Sequence, residues 1–467
     1  MKKLNQEKSK IKRYPKRILA SFQLGNLINL TMSQLFSLQL PYYYLDVIGL
    51  NATFYLIGSI LFMIYNMIND PILGNLCDKS TRFTKKWGKR FPFIMMGAIP
   101  WVFMPIFIFL SPTPQLIGQI GVFLWFLIFQ SIYDTAFSLY DINRVALFPD
   151  KFRSIEDRKI AGSITVILET IGVLIGLFIP VIIIGLFGND IGYFLQAVII
   201  SLISFFIVLL MIPGVREDEE IRTRRFRLNI ETDLEPFFKG IISTLKDRNF
   251  LGYMIFFSCY GATMGIVMGT IPNFVEDILL LPKLGEFIVG FYILSVIPSA
   301  LLWYKFSSKL GIKKTAVFGS IIMFCVSIPL LFIPRGSAGL SFMIIILIIF
   351  GFADAAIISM TMPLYSSVID NAAVKTGKRR EGLYNGTWVF FSRIGIAIKA
   401  LVFWIVRSFF KYQAGTSDPF KLLGIRLQMS IFPMITISIG IIFFWYLYKL
   451  SDKKIEKNTQ KLIELNL

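Results

Sequence analysis

The residues best suited to chemistry lie in three apolar stretches. In "MIYNMINDPILGNLCDK" (63–79), Asn66 and Asp70 are four residues apart and share a helix face, with Asn69 beside them and Pro71 directly behind. Pro71 has no N–H, so the carbonyl of Met67 loses its helical donor and becomes an oxygen ligand. One carboxylate, two amides and that carbonyl suit a small cation or an exchangeable proton; the alternative is a proline kink with Asn66 bonded to a neighbouring helix. In "QSIYDTAFSLYDINRVALFPD" (130–150), Asp134, Ser138 and Asp141 stand at spacings of four and three, one polar stripe adjoined by Tyr133 and Phe137. Carboxylates accept from hydroxyls and a ring covers an apolar sugar face, which suits a polyhydroxylated ligand. In the structural alternative Ser138 bonds back to its own helix and the carboxylates neutralise Arg144 or Arg393. In "LYNGTWVFFSRIGIAIKALVFWIV" (383–406), Arg393 and Lys399 bring two cations into apolar surroundings, where Arg393 is placed to pair with Asp70 or Asp141 and Lys399 to do the same or snorkel. Glu169 and Asp354 are the further partners expected for these cations. Ionisable groups inside a span cost roughly 2.5–3.5 kcal/mol each, so those retained face a cavity or one another.

The elements that carry these residues follow from composition. The chain has 467 residues, 55% of them hydrophobic and only 16% charged, with a mean hydropathy of +0.66. Such a chain cannot cover its apolar surface with polar groups in water and reads as an all-α polytopic membrane protein. Runs long enough to cross a bilayer recur near 18–45, 53–77, 91–111, 115–146, 160–187, 192–214, 250–280, 287–308, 313–334, 340–369, 382–410 and 424–448, which makes twelve predicted transmembrane helices. The sequence divides into a basic tail (1–17), a six-helix bundle (18–214), a linker carrying an amphipathic helix pattern (215–248, with Phe237, Phe238, Ile241, Ile242 and Leu245), a second six-helix bundle (249–449) and a tail (450–467). Six plus six around one linker is a secondary-transporter plan, with the ligand site near the midplane. Lys and Arg gather in both tails and in the loops after each even-numbered span, which predicts both termini on the cytoplasmic side of a plasma membrane. The net charge of +19 is then a cationic face toward anionic membrane lipids, and nucleic acid is not an expected partner. Three separated cysteines and no histidine suggest neither a disulfide nor a metal site beyond one for sodium, and no cofactor.

Three segments in order, "NDPILGNLCDKSTRFTKKWGKRFPF", "LYDINRVALFPD…EDR" and "VIDNAAVKTGKRREGLYNG", together with "YYYLDVIGL" at 42–50, make the chain resemble the glycoside–pentoside–hexuronide:cation symporters, the melibiose-permease branch of the major facilitator superfamily. The resemblance implies the two-bundle major facilitator fold and symport of a sugar or glycoside with sodium or a proton by alternating access. It assigns Asn66, Asn69, Asp70 and Ser138 to the cation, Asp141 to the sugar and Arg393, as Arg in place of the family's Lys, to coupling; Lys399 is the second cation grouped with it. Asp134, Tyr133, Phe137, Asn26, Asn29 and Trp388 complete the expected substrate set. Asn66 stands where the family has its first cation-site Asp, so one carboxylate is expected there and a proton competes with sodium. Asn26 and Asn29 occupy the region of its helix 1 Asp, and its helix 10 Trp has no counterpart.

The basic loop after the second span, with Asp78, Arg82, Gly88, Lys89 and Arg90, and Arg158 after the fourth, is expected to latch the cytoplasmic side through contacts between the bundles. A lysolipid or other amphiphile on the same scaffold, and a uniporter, are the competing transport readings; a small solute and a functional monomer are expected in each. An enzyme would need a nucleophile with a base or a metal-ligand set, which a chain without histidine does not offer in recognisable form. A receptor or scaffold would need a sizeable domain outside the membrane, and the longest loop is the 215–248 linker.

Overall fold

The computed structural model describes residues 13–79, 86–152, 154–219, 221, 242–281, 285–376 and 381–464. Among them the regular secondary structure is helical, because a segment in hydrocarbon has to satisfy its own backbone N–H and C=O groups. The helices are α1 (Lys16–Tyr42), α2 (Ala52–Lys79), α3 (Phe91–Ile108) and α4 (Pro114–Lys151). The run Ile155–Val215 breaks at Gly188, with φ 76°, giving α5 (Ile160–Gly188) and α6 (Ile191–Val215). Then come α7 (Arg248–Asp277), α8 (Gly285–Leu310), α9 (Ile312–Ser327) and α10 (Ala338–Thr376). The next two spans each have two pieces, α11 (Glu381–Ser392 and Ile394–Phe409) and α12 (Pro419–Met429 and Ile431–Leu447), and α13 (Asp452–Glu464) follows.

Eleven helices among the described residues are long and apolar enough to cross a membrane, against the twelve predicted. The difference is α1, whose 27 residues suffice in length but whose Ser21, Gln23, Asn26, Asn29 and Gln34 lower its hydropathy. Four of those side chains are bonded inside the protein. Ser21 donates to the Leu210 carbonyl, Asn26 to Gln23 and Asn29 to Asp141.

The chain forms two compact units. Unit 1 is Met1–Phe36, Val47–Gly49 and Ile64–Asp233; unit 2 is Ser37–Asp46, Leu50–Met63 and Leu234–Leu467. In unit 1, α3 packs on α4 and on the α5–α6 run, and Trp101 of α3, 1% exposed, anchors that contact. In unit 2, α8 and α9 pack on α10, while α12 and the second piece of α11 pack on α7.

One polar knot in unit 2 ties segments far apart in sequence. Asp46, in the short π-helical turn Tyr43–Val47, pairs with Arg407 at 2.6 Å and accepts from Asn273 at 2.9 Å. Both partners of the ion pair are buried. Nearby, Tyr42 donates to Glu276, and Asp277 accepts from the Tyr412 hydroxyl and the Gly415 N–H. Burial, then the Asp46 and Asp277 carboxylates, push the Tyr412 phenol well up, so it stays a donor.

Candidate functional site

In unit 1, α2 and α4 meet along a polar seam. Asn66 donates to Asp134 at 2.5 Å, Asn69 donates to the same carboxylate at 3.3 Å, and Ser138 donates to Asp70. Since 66 and 70 are one turn apart, as are 134 and 138, the two helices run parallel and in register, and the seam is a ladder of polar rungs. Asn66 is 2% exposed and its carbonyl oxygen Oδ1 has no hydrogen-bond partner. A buried amide oxygen beside the Asp134 carboxylate is an unmet hydrogen-bond acceptor.

The contacts of Asp134 bring a second carboxylate to the seam. With Asn66 in place of an acid, one carboxylate was expected in the cation group, and Asp134 stood with the substrate set. The structure instead bonds Asp134, 4% exposed, to both Asn66 and Asn69, so the seam carries two carboxylates, one from each helix. Sequence spacing put Asp134 and Ser138 on one face but could not show which side chains of α2 that face meets.

One turn further along α4, Asp141 sits in a different environment. Arg144 pairs with it at 2.9 Å, its NH2 group also donates to Asn26 Oδ1 at 2.9 Å, and Asn29 donates to Asp141 at 3.0 Å. Glu169 of α5 interacts electrostatically with the same guanidinium. Arg144 lies against α1 where Gly25 leaves room, since a Cβ there would come within 2.8 Å of Arg144 Cδ. Of the pairings expected for the stripe, the structure forms the one with Arg144, and Asp141 is partly exposed, at 28%. Arg144 belongs to the cluster, and its place three residues after Asp141 was the signal for it.

Tyr133 and Phe137 are held in an aromatic group. Phe36 packs on Tyr133 at 4.5 Å between centroids, and Trp101 packs on Phe137 at 5.1 Å and stacks on Tyr140 at 5.2 Å. Of the loop residues, Gly88 has φ +95°, and a Cβ there would collide with the Glu217 side chain. Glu217 accepts from the backbone N–H groups of Arg90 and Phe91, at the N-terminus of α3, while the Arg90 guanidinium donates to Asn143 at 3.0 Å. These contacts lie within unit 1. Lys89 is half-buried; Arg82 and the side chains of Asp78 and Arg158 lie outside the described residues.

In unit 2, Arg393 stands at the break between the two pieces of α11. Lys399 lies along Gly265 and Gly269 of α7 and donates to the Ser37 carbonyl at 3.3 Å. That carbonyl is four residues before Pro41, whose missing N–H leaves it without its helical donor. Trp388 packs near Tyr365 and Tyr253 at 5.9 and 6.4 Å. Asp354, expected to neutralise a membrane cation, instead accepts from two phenols, Tyr260 at 2.5 Å and Tyr292 at 2.6 Å.

A family model described as MFS/sugar transport protein matches residues 21–452. YagG of Escherichia coli (strain K12), provisionally named a glycoside/cation symporter, is 24% identical over 436 residues, 91% of this chain and 90% of that protein. The sodium-dependent lysophosphatidylcholine symporter 1-A of Danio rerio is 22% identical over 473 residues, 91% and 84% of the two chains. Among solved structures, the nucleoside transporter NupG matches with a TM-score of 0.64 and 14% identity over 93% of this chain and 100% of that one, a likeness of fold.

Proposed function

The chain belongs to the MFS/sugar transport protein family and is a multi-pass membrane transporter, and from that premise we propose that it carries a small hydrophilic solute, a sugar or glycoside, together with a cation by alternating access. The observation that carries this reading is the α2–α4 seam, in which a buried amide oxygen without a partner lies among Asp70, Asp134, Asn69 and Ser138. These oxygens suit a hard cation, which takes oxygen ligands. With two carboxylates in place, sodium is the coupling ion favoured and a proton the competitor. Asp141, with Asn26, Asn29 and Arg144, forms the solute-binding group: a partly exposed carboxylate and amides offer acceptors and donors to hydroxyls. Asp141 and Ser138 are one turn apart on α4, so ion binding at the seam and solute binding beside it share one helix. Arg393 and Lys399 of α11 are the coupling cations. The Lys and Arg distribution supports both termini on the cytoplasmic side of the plasma membrane.

The test is thermal unfolding of the purified protein against glycosides, pentoses, hexuronates and lysolipids, each with and without sodium. A ligand specific to the folded state raises the midpoint. A sugar that stabilises, more so with sodium, is the expected result. A sodium-independent sugar shift points to proton coupling or uniport. The similarity to the lysophosphatidylcholine symporter supports a second reading, an amphiphile such as a lysolipid, and stabilisation by lysolipids alone would put it in place of the sugar.

A further inference from the structure

Asp354 is 0% exposed in the middle of α10, between Ala353, Ala355 and Ala356, which are equally buried. Its two carboxylate oxygens are each met by a phenol, Oδ1 by Tyr260 of α7 and Oδ2 by Tyr292 of α8. The contacts described below between α10 and the other elements packed on it are uncharged. From α9, Gly319 meets Ala353 and Ala356; α13 touches α10 through Asn458 on Asn371; the short turn Pro329–Phe332 is apolar. Elsewhere on α7, the Tyr253 hydroxyl is given to the Thr361 carbonyl. Tyr260 and Tyr292 are therefore the titratable groups facing Asp354.

Such a carboxylate differs from one held by a guanidinium. Arg donates only, so it fixes its partner as an anion. A phenol hydroxyl rotates and can donate or accept. With Asp354 ionised, both phenols donate. When a proton adds to one oxygen, the new O–H donates to the phenol on that side, whose own hydrogen turns away, while the other phenol goes on donating. The heavy atoms need not move, yet one bond reverses and the buried charge is gone. We infer that Asp354, Tyr260 and Tyr292 form a proton-binding site in unit 2 joining α7, α8 and α10, separate from the cation seam of unit 1. Tyr260 is partly buried whereas Tyr292 is buried, so Tyr260 is the less enclosed of the two phenols. Protonation changes the bonding of three helices together, which makes their packing respond to pH.

Infrared difference spectroscopy on the purified full chain tests this without a substrate, because a protonated carboxylic acid has its own carbonyl stretch. Spectra are recorded over the pH range in which circular dichroism shows the protein folded. The expected result is an acid band that rises as pH falls, is lost in Asp354→Asn, and shifts in Tyr260→Phe/Tyr292→Phe, where the carboxyl remains but its partners are gone. A band unaffected by either variant overturns the site. So does an Asp354 band that is constant with pH, or absent at every pH, since the group is then a fixed tether. Should Asp354→Asn fail to fold, the double phenylalanine variant decides by whether the band shifts.

Discussion

Asp141 in unit 1 and Asp354 in unit 2 are both carboxylates on membrane-crossing helices, and they are satisfied in opposite ways. Asp141 has a guanidinium at 2.9 Å and an amide at 3.0 Å; Asp354 has two phenols. The first arrangement requires an anion, and the second accepts either charge state. The seam carboxylates Asp70 and Asp134 differ from both, being met by a hydroxyl and two amides. Partner chemistry thus separates a carboxylate met by a guanidinium, a pair met by amides and a hydroxyl, and one met by phenols, a distinction that counting acidic residues does not make.

The largest effect is expected from Asp70→Asn. It keeps the contact to Ser138 in shape but removes half the charge of the seam, so ion-driven accumulation in proteoliposomes should fall to the equilibrated level while substrate exchange partly survives. Unchanged accumulation would take Asp70 out of the mechanism and erase the contrast between the seam and Asp141. Next comes Arg144→Met. Stranding one member of a buried ion pair costs about 3–5 kcal/mol; with Asp141 partly exposed, about 2–3 kcal/mol is expected, read as a fall in the unfolding midpoint. Adding Asp141→Asn should recover much of it, and simple additivity of the two losses would show that Arg144 does not define the Asp141 site. The smallest is Glu217→Ala, which removes an acceptor from two N–H groups at the start of α3 and should cost about 1–2 kcal/mol, comparable to losing a helix cap. An unchanged midpoint there would confine the comparison to carboxylates inside the spans.

Much of this was legible in the sequence because it depended on spacing along one helix. Asn66 with Asp70, Asp134 with Ser138, and Asp141 with Arg144 each fall on a single face by the 3.6-residue period. What periodicity cannot give is the register of one helix against another, and the pairing of Asn66 with Asp134 is a fact of register. Tyr260 and Tyr292 carry no sequence signal for the same reason: they lie on two other helices, and nothing local distinguishes them from ordinary packing aromatics. The membrane fold was legible as hydropathy, and the shortfall at α1 reflects polar side chains that serve other helices rather than water.

The pairing of Asp46 with Arg407 has a consequence in time. The two are separated by 361 residues, and at roughly 5–20 residues per second the ribosome needs about 18–72 s to reach the arginine after making the aspartate. For that interval the ion pair cannot form, so the knot in unit 2 closes only after α11 has been made, and the end of the first helix gains this partner late in synthesis.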